Sequence, residues 1–345
     1  MADHPLTSSS IFAQDRIGQT SPPPAIVVGL PRSGSSFLAH VLSTLEGWYL
    51  FDDLYPYQKA KACGAKGTLS SKQLATFLNG LAWETRARIK WEQNFSAPQM
   101  SWEEVDQMET AVRQGFESES GCWHEVLQEW LVRLAHHHNC AYWGYKTPQD
   151  FMHMEELSQL FPGVKFIFIM RDPRKVMRSL KNLPNEKGGD GDRKQYHPIA
   201  YSVYWKMAYE RVQAFIDSGL APVHVIRFEE LIADPNQHAQ TLAAFLTTSV
   251  SSPVEVKQGN SSFQSQRQIE MTDTECWLCE KLAGSTMEKA GYSLSGAQPK
   301  LRDIPELVRI SVQFTWFQVY RATTNPEKRA SILNFIKSLF RKKKS

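Results

Sequence analysis

The stretch from 25 to 42, AIVVGLPRSGSSFLAHVL, carries the residue types best suited to chemistry. Gly29 and Gly34 have the spacing of a phosphate-binding loop, but Ser35 stands where that loop has its lysine, and Arg32 lies inside the loop instead. A glycine turn between a strand and a helix aims backbone N–H groups at an anion, and the helix dipole adds to the attraction. Gly34 permits close backbone approach. Ser35 and Ser36 add hydroxyl donors, and Arg32 offers a planar fork suited to two phosphate or sulfate oxygens. The candidate anion ligands are therefore Pro31, Arg32, Ser33, Gly34, Ser35 and Ser36. Enzymes that use triphosphates need the missing lysine, and a second motif helps them hold magnesium. No clear strand ending in a magnesium-binding aspartate is read here, so the loop suits an anion smaller than a magnesium-bound triphosphate. The competing reading is a tight strand–helix turn with incidental serines.

A second anion site is read from FIFIMRDPRKVMRSL, where Arg171 ends a strand and Ser179 lies eight residues on in the next helix. An arginine fork with a serine hydroxyl is a charge-assisted pair of donors. The alternative is a salt bridge from Arg171 to Asp172 or another acid. Arg174 and Arg178 are expected to be solvated or salt-bridged. Asp52 and Asp53, in WYLFDDLYPY, could take a proton. Adjacent strand residues point to opposite sides, so one of the two is expected to face the site; a turn or cap role competes. AHHHNC, 135–140, lacks the i,i+4 spacing of helical metal pairs. The single C-x-x-C, Cys276 and Cys279, has no second pair, so it reads as two small residues on a helix rather than zinc ligands.

These residues need elements to hold them. Ala25–Leu30, Trp48–Phe51, Val164–Met170 and Val223–Phe228 read as strands. VKFIFIM lacks polar alternation, the mark of a parallel strand covered on both faces. Helices are expected at Phe37–Leu45, Arg174–Lys181 and Ile199–Ser218, and through most of Tyr57–His138. The fold class is α/β: a P-loop-type central parallel sheet flanked by helices, with a helical insert after the second strand. Ligands of such sheets bind beyond the carboxyl ends of the strands, where Arg32, Asp52 and Arg171 would converge.

At this point the chain resembles the sulfotransferase superfamily that uses 3′-phosphoadenosine-5′-phosphosulfate. PRSGSSFL resembles its 5′-phosphosulfate loop and RDPRKVMRS its 3′-phosphate motif. YKTPQDF (145–151), VHVIRFEELIADP (223–235) and MEKAGY (287–292) resemble further family segments, so the likeness runs over about residues 25–295. The resemblance implies that Arg171 and Ser179 grip the 3′-phosphate, that Lys146 contacts the transferring sulfonate, and that no metal is required. A solvated surface lysine is the other reading of Lys146. The resemblance also implies a carboxylate base. Aligned on carbohydrate-type members it falls on Asp52, the favoured base, directly after Phe51; counted from the loop arginine in the tyrosylprotein-like pattern it falls on Asp53. His197 and His153 are the fallback bases. The acceptor is expected to meet the insert, 57–140, which is rich in tryptophan (Trp83, Trp91, Trp102, Trp123, Trp130), and the loop 182–197. The motif style leans to a saccharide or glycolipid hydroxyl. The rivals are a P-loop small-molecule kinase and a non-catalytic nucleotide-binding protein on the same fold.

The bulk properties are ordinary for a soluble globular protein. Charged residues make up 22% of 345 and the net charge is +3, too small to indicate nucleic acid. Five cysteines in no framework spacing suit a reducing compartment. No signal peptide or membrane span is read, so a cytoplasmic enzyme is expected. The organisation expected is a polar segment 1–24, a catalytic domain 25–300 and a C-terminal extension 301–345. In the tail 326–345, Ile332, Leu333, Ile336, Leu339 and Phe340 have helical spacing before a basic end. It is expected to pack on the domain or to lie on an anionic membrane. The oligomeric state is not readable.

Overall fold

The computed structural model describes residues 17, 21–90, 99–182, 195–255 and 269–324. Most of 1–24, Trp91, most of the loop 182–197 and the tail 326–345 lie outside them. The chain forms two compact units, Met1–Arg171 with Arg211–Val256, and Asp172–Glu210 with Lys257–Ser345.

The first unit is built on five parallel strands: β1 (Ala25–Gly29), β2 (Trp48–Asp52), β3 (Tyr142–Lys146), β4 (Lys165–Met170) and β5 (Val223–Arg227), in the order β2-β3-β1-β4-β5. β1 is buried along its whole length, as a central strand covered on both faces must be. One face packs α1 (Ser35–Leu42), α9 (Phe228–Ala233) and α10 (Pro235–Leu246) against Val27, Leu50, Ile167 and Ile226. The other meets α5 (Trp123–His137) and, from the C-terminal part of α8 (Pro198–Ser218), Phe215, whose ring meets that of Phe166 edge-on. Between β2 and β3 run α2 (Pro56–Ala62), α3 (Ser71–Lys90), α4 (Trp102–Ser118) and α5, which are the helical insert. Ser101 and Glu104 form a capping box that starts α4. A short 3-10 helix, Pro148–His153, and α6 (Met154–Leu160) lead from β3 to β4.

β3 was not expected as a strand. YWGYK is short, has glycine at its centre and shows no clean alternation, yet it lies between β2 and β1. Strand β2 runs one residue further than expected, so Asp52 is its last residue rather than the one after it. Helix α1 begins at Ser35, two residues early, because the loop turn feeds directly into it.

The second unit holds α7 (Pro173–Lys181), the start of α8, α11 (Asp273–Lys289) and α12 (Ile304–Thr324). Glu275 is its polar centre. Lys181 Nζ donates to Oε2 at 2.8 Å and Tyr196 Oη donates to Oε1 at 2.8 Å. A buried ion pair needs such extra bonds, because the desolvation of two charges opposes it. Arg174 donates to Asp172 and Glu280, and Arg178 pairs with Glu270, as expected of structural arginines.

Candidate active site

Three strands deliver their carboxyl ends together. The register sets Val27 opposite Lys146 and Lys146 opposite Asp52, so the lysine stands between the loop strand and the acid strand. Its Nζ lies 2.6 Å from Asp52 Oδ1 and 2.8 Å from Asp53 Oδ1, and it donates to Ser36 Oγ at 3.2 Å. At 2% exposure Lys146 is not the solvated residue of the competing reading. β2 does end on an aspartate, contrary to the sequence expectation, but the carboxylate meets an ammonium ion.

Both aspartates face Lys146, which corrects the expectation that alternation would turn one away. Alternation holds only while the backbone is extended. Asp53 N–H donates to Lys146 C=O at 2.9 Å, and the chain then turns left-handed, with φ of 56° at Asp53 and 52° at Tyr55. The turn is braced from the insert: Arg88 Nη2 in α3 donates to Asp53 C=O at 3.3 Å. Tyr55 N–H donates to Thr147 Oγ1 at 3.1 Å, and its hydroxyl donates to Asp53 Oδ1 at 3.4 Å. Burial pushes the Asp52 carboxyl up, the Asp53 charge adds to this, and Lys146 opposes it.

The loop itself is strained at its centre. Arg32 has φ of 72° and Gly34 of 91°. A Cβ on Gly34 would come within 2.1 Å of the Phe228 ring, so glycine is required twice over. No side chain caps α1, which leaves its first-turn N–H groups for an anion. Ser33 is fully buried and its hydroxyl has no hydrogen-bond partner among the described residues. Arg171 lies alongside: its guanidinium carbon is 4.5 Å from the Phe228 ring centre, and Nη1 donates to Arg32 C=O at 3.2 Å. Three of the five non-glycine residues at positive φ among the described residues, Arg32, Asp53 and Tyr55, thus belong to this one region. Such strain costs about 1–3 kcal/mol per residue and gathers where a site demands it. These features fit a doubly charged phosphate or sulfate group.

Other candidates fall elsewhere. Ser179 is half-buried in α7 of the second unit. His197, in the same unit, lies 3.1 Å from Ser311 Oγ. His153 stacks on Tyr57 with ring centres 3.7 Å apart, and burial lowers its pKa to about 4. His137 Nε2 lies 2.9 Å from Gln99 C=O and His138 stacks on Tyr49, so the histidine run has separate partners. No cluster of three metal-ligating side chains occurs among the described residues. Trp123 and Trp130 are buried, whereas Trp83 and Trp102 are exposed. Sequence reasoning missed Phe228 and Arg88. Phe228 stands within a quoted motif without a role; Arg88 gives no signal, because its partner is a backbone carbonyl 35 residues away. It also missed Asp150, wholly buried after β3, with Gln58 Nε2 donating to it at 3.4 Å. Burial pushes its pKa up to about 7, against the hydrogen bond from Gln58.

A parallel sheet whose first strand runs through a glycine turn into an uncapped helix defines an α/β protein of the anion-loop type. The model of the Sulfotransferase family matches residues 23–252, and the chain belongs to that family. It is a sulfotransferase. Its structure is similar to the sulfotransferase domain from the curacin biosynthetic pathway, at 19% identity and TM-score 0.41, covering 86% of this chain and 99% of that one. It is also similar to STF9 from Mycobacterium avium, at 15% and 0.42, covering 81% and 80%. A third likeness is to a sulfotransferase from Alicyclobacillus acidocaldarius, at 14% and 0.44, covering 81% and 100%. No curated protein matches the chain.

Proposed function

We propose that the chain moves a sulfonate from 3′-phosphoadenosine-5′-phosphosulfate to a hydroxyl or amine of a small-molecule or carbohydrate acceptor. The observation that carries this reading is the buried Lys146, which touches Asp52, Asp53 and Ser36 of the loop at once. Two carboxylates share one ammonium. Taking a proton onto one of them relieves their mutual repulsion and leaves a matched ion pair, so the dyad is suited to accept the acceptor's proton. The side chain of Asp53 is 27% exposed against 6% for Asp52, so the acceptor reaches Asp53 first and Asp52 is its buried partner.

The acceptor oxygen then bonds to sulfur as the sulfur–oxygen bond to the nucleotide breaks, and the nucleotide 3′-phosphoadenosine-5′-phosphate leaves. Charge growing on the leaving oxygen is met by the loop N–H groups, by Arg32 and by Lys146, whose charge is freed in part as the dyad is protonated. Arg171 is assigned to the 3′-phosphate by its motif and its place beside the loop; Ser179 is assigned by motif spacing alone. The saccharide reading of the acceptor rests on the style of the loop and second-strand motifs.

The test is transfer of labelled sulfonate to a panel of saccharide, glycolipid, phenol and amine acceptors, with calorimetry of 3′-phosphoadenosine-5′-phosphate. Asp53→Asn should lose about 10²–10⁴-fold in turnover and keep nucleotide affinity. Full turnover in both Asp52→Asn and Asp53→Asn would remove the dyad as base. Absence of nucleotide binding would remove the donor assignment.

A further inference from the structure

We propose, on the reading that Asp53 takes the acceptor's proton, that Arg88 in the last turn of α3 is a positioning residue that aims the Asp53 carboxylate at Lys146. Asp53 has φ of 56°, a conformation that costs a non-glycine residue free energy unless its surroundings impose it. Two contacts impose it. The Asp53 N–H donates to Lys146 C=O at 2.9 Å, and the Asp53 C=O accepts from Arg88 Nη2 at 3.3 Å. The residue is thus held at both ends, one by the sheet and the other by the insert. The ion pair to Lys146 pulls the same way, but that ammonium is shared with Asp52, which lies nearer at 2.6 Å. Release of the carbonyl lets the backbone continue extended from β2. Alternation then turns the Asp53 side chain to the face opposite that of Asp52, away from Lys146.

Helix α3 is built to hold that donor still. Arg88 is 8% exposed and sits where a cation suits the negative end of the helix dipole. Three residues earlier, Thr85 is wholly buried, and its hydroxyl accepts from Trp130 Nε1 of α5 at 3.2 Å. Helix α5 in turn packs on β2 and β3, the strands that carry Asp52 and Lys146. Four residues before Arg88, Glu84 Oε2 lies 3.9 Å from Arg88 Nη2, while Glu84 Oε1 takes Lys59 Nζ of α2 at 2.8 Å. Glu84 therefore has a closer cation in Lys59, and its charge balance does not depend on Arg88. The contact that Arg88 alone supplies is the one to the Asp53 carbonyl. A planar guanidinium anchored in this way loses little freedom in making it.

The experiment is a crystal structure of Arg88→Met, with turnover of labelled sulfonate on the acceptor panel above for Arg88→Met and Arg88→Lys, each with and without Asp53→Asn. In Arg88→Met the φ of Asp53 should turn negative and its carboxylate should leave Lys146, while Asp52 keeps its place. Turnover should fall by about 10²-fold, the effect of a misplaced catalytic group, with nucleotide affinity unchanged because Arg88 is not part of the anion loop. Arg88→Lys keeps a charged donor on a shorter stem and should lose less; it carries the same comparison if Arg88→Met does not fold. In the Asp53→Asn background neither substitution at Arg88 should cost anything further, because the group it aims has gone. An equal fall in both backgrounds would mark a merely structural role and overturn the proposal. An Arg88→Met structure with the Asp53 carboxylate still on Lys146 would overturn it too, whatever the base is. Full turnover in Asp53→Asn, with Asp53 displaced in the Arg88→Met structure, would instead remove the base reading and leave Arg88 as the residue that aims this carboxylate.

Discussion

Lys146 is the residue on which most of the site depends. It lies within 2.8 Å of a carboxylate oxygen of both acids and reaches the loop at Ser36. Lys146→Met should therefore do two separable things. Turnover should fall by about 10²–10⁴-fold, as expected when a group aimed at developing charge is lost. Stability at neutral pH should fall by about 3–5 kcal/mol, because a buried carboxylate is left without its partner. Denaturant unfolding should show the second loss shrinking as pH is lowered and the acids take up protons. A variant that is inactive yet as stable as wild type would mean that the lysine contributes nothing net to folding. Asp150 behaves differently, having no cation beside it. Unfolded, its pKa is about 4, and folding pushes it up to about 7. The folded state thus holds a proton that the unfolded state lacks, so stability falls as pH rises between those values and is flat beyond them. Asp150→Asn keeps the shape without the ionisation. Its stability relative to wild type should improve from pH 4 to pH 8, measured as the difference in unfolding free energy; a difference independent of pH would mean that Asp150 does not titrate in this range.

Elements place these residues, and much of that placement was readable. β1, β2, β4 and β5 announced themselves as apolar runs, and the loop residues 31–36 by glycine spacing. β3 did not, because a five-residue strand with a central glycine carries too little pattern, and its place in the sheet comes from pairing on both edges. The joint facing of Asp52 and Asp53 was hidden for a different reason: it depends on a left-handed turn that α3 braces through Arg88, and two-residue periodicity assumes extended backbone. What the loop requires of its glycine was legible only in part. The motif asks for close approach to an anion, whereas the structure adds the Phe228 ring at the start of α9. Gly34→Ala should accordingly strain the backbone and push on Phe228, destabilising by about 2–5 kcal/mol. Because Arg171 stacks on that same ring, nucleotide affinity should fall as well. Phe228→Leu in the alanine background should recover part of the stability by making room. If Gly34→Ala unfolds like wild type, the ring is not the constraint described.

At the scale of the whole molecule, the proposed donor is expected to be recognised by local groups rather than by the overall field. The first 300 residues are net acidic, so a multiply charged nucleotide gains nothing from their net charge at long range. On the proposed donor, binding is expected to come from the loop N–H groups, Arg32, Lys146 and Arg171. None of these is a metal ligand, so binding should persist in EDTA. Anything that binds only the folded state raises stability by an amount set by its concentration over its dissociation constant, about 2.7 kcal/mol at a hundredfold excess. Thermal unfolding in EDTA should therefore shift upward with 3′-phosphoadenosine-5′-phosphate, while magnesium with ATP should shift it little. Arg171→Ala should lose about 1.5–3 kcal/mol of that binding, the worth of a hydrogen bond to a charged group, and its unfolding midpoint should respond less at the same nucleotide concentration. Without nucleotide its midpoint should fall only modestly, because the truncation loses one hydrogen bond to Arg32 C=O and the stack on Phe228. An upward shift with magnesium and ATP larger than that with the 3′-phosphorylated nucleotide would instead favour a phosphoryl donor and return the kinase reading.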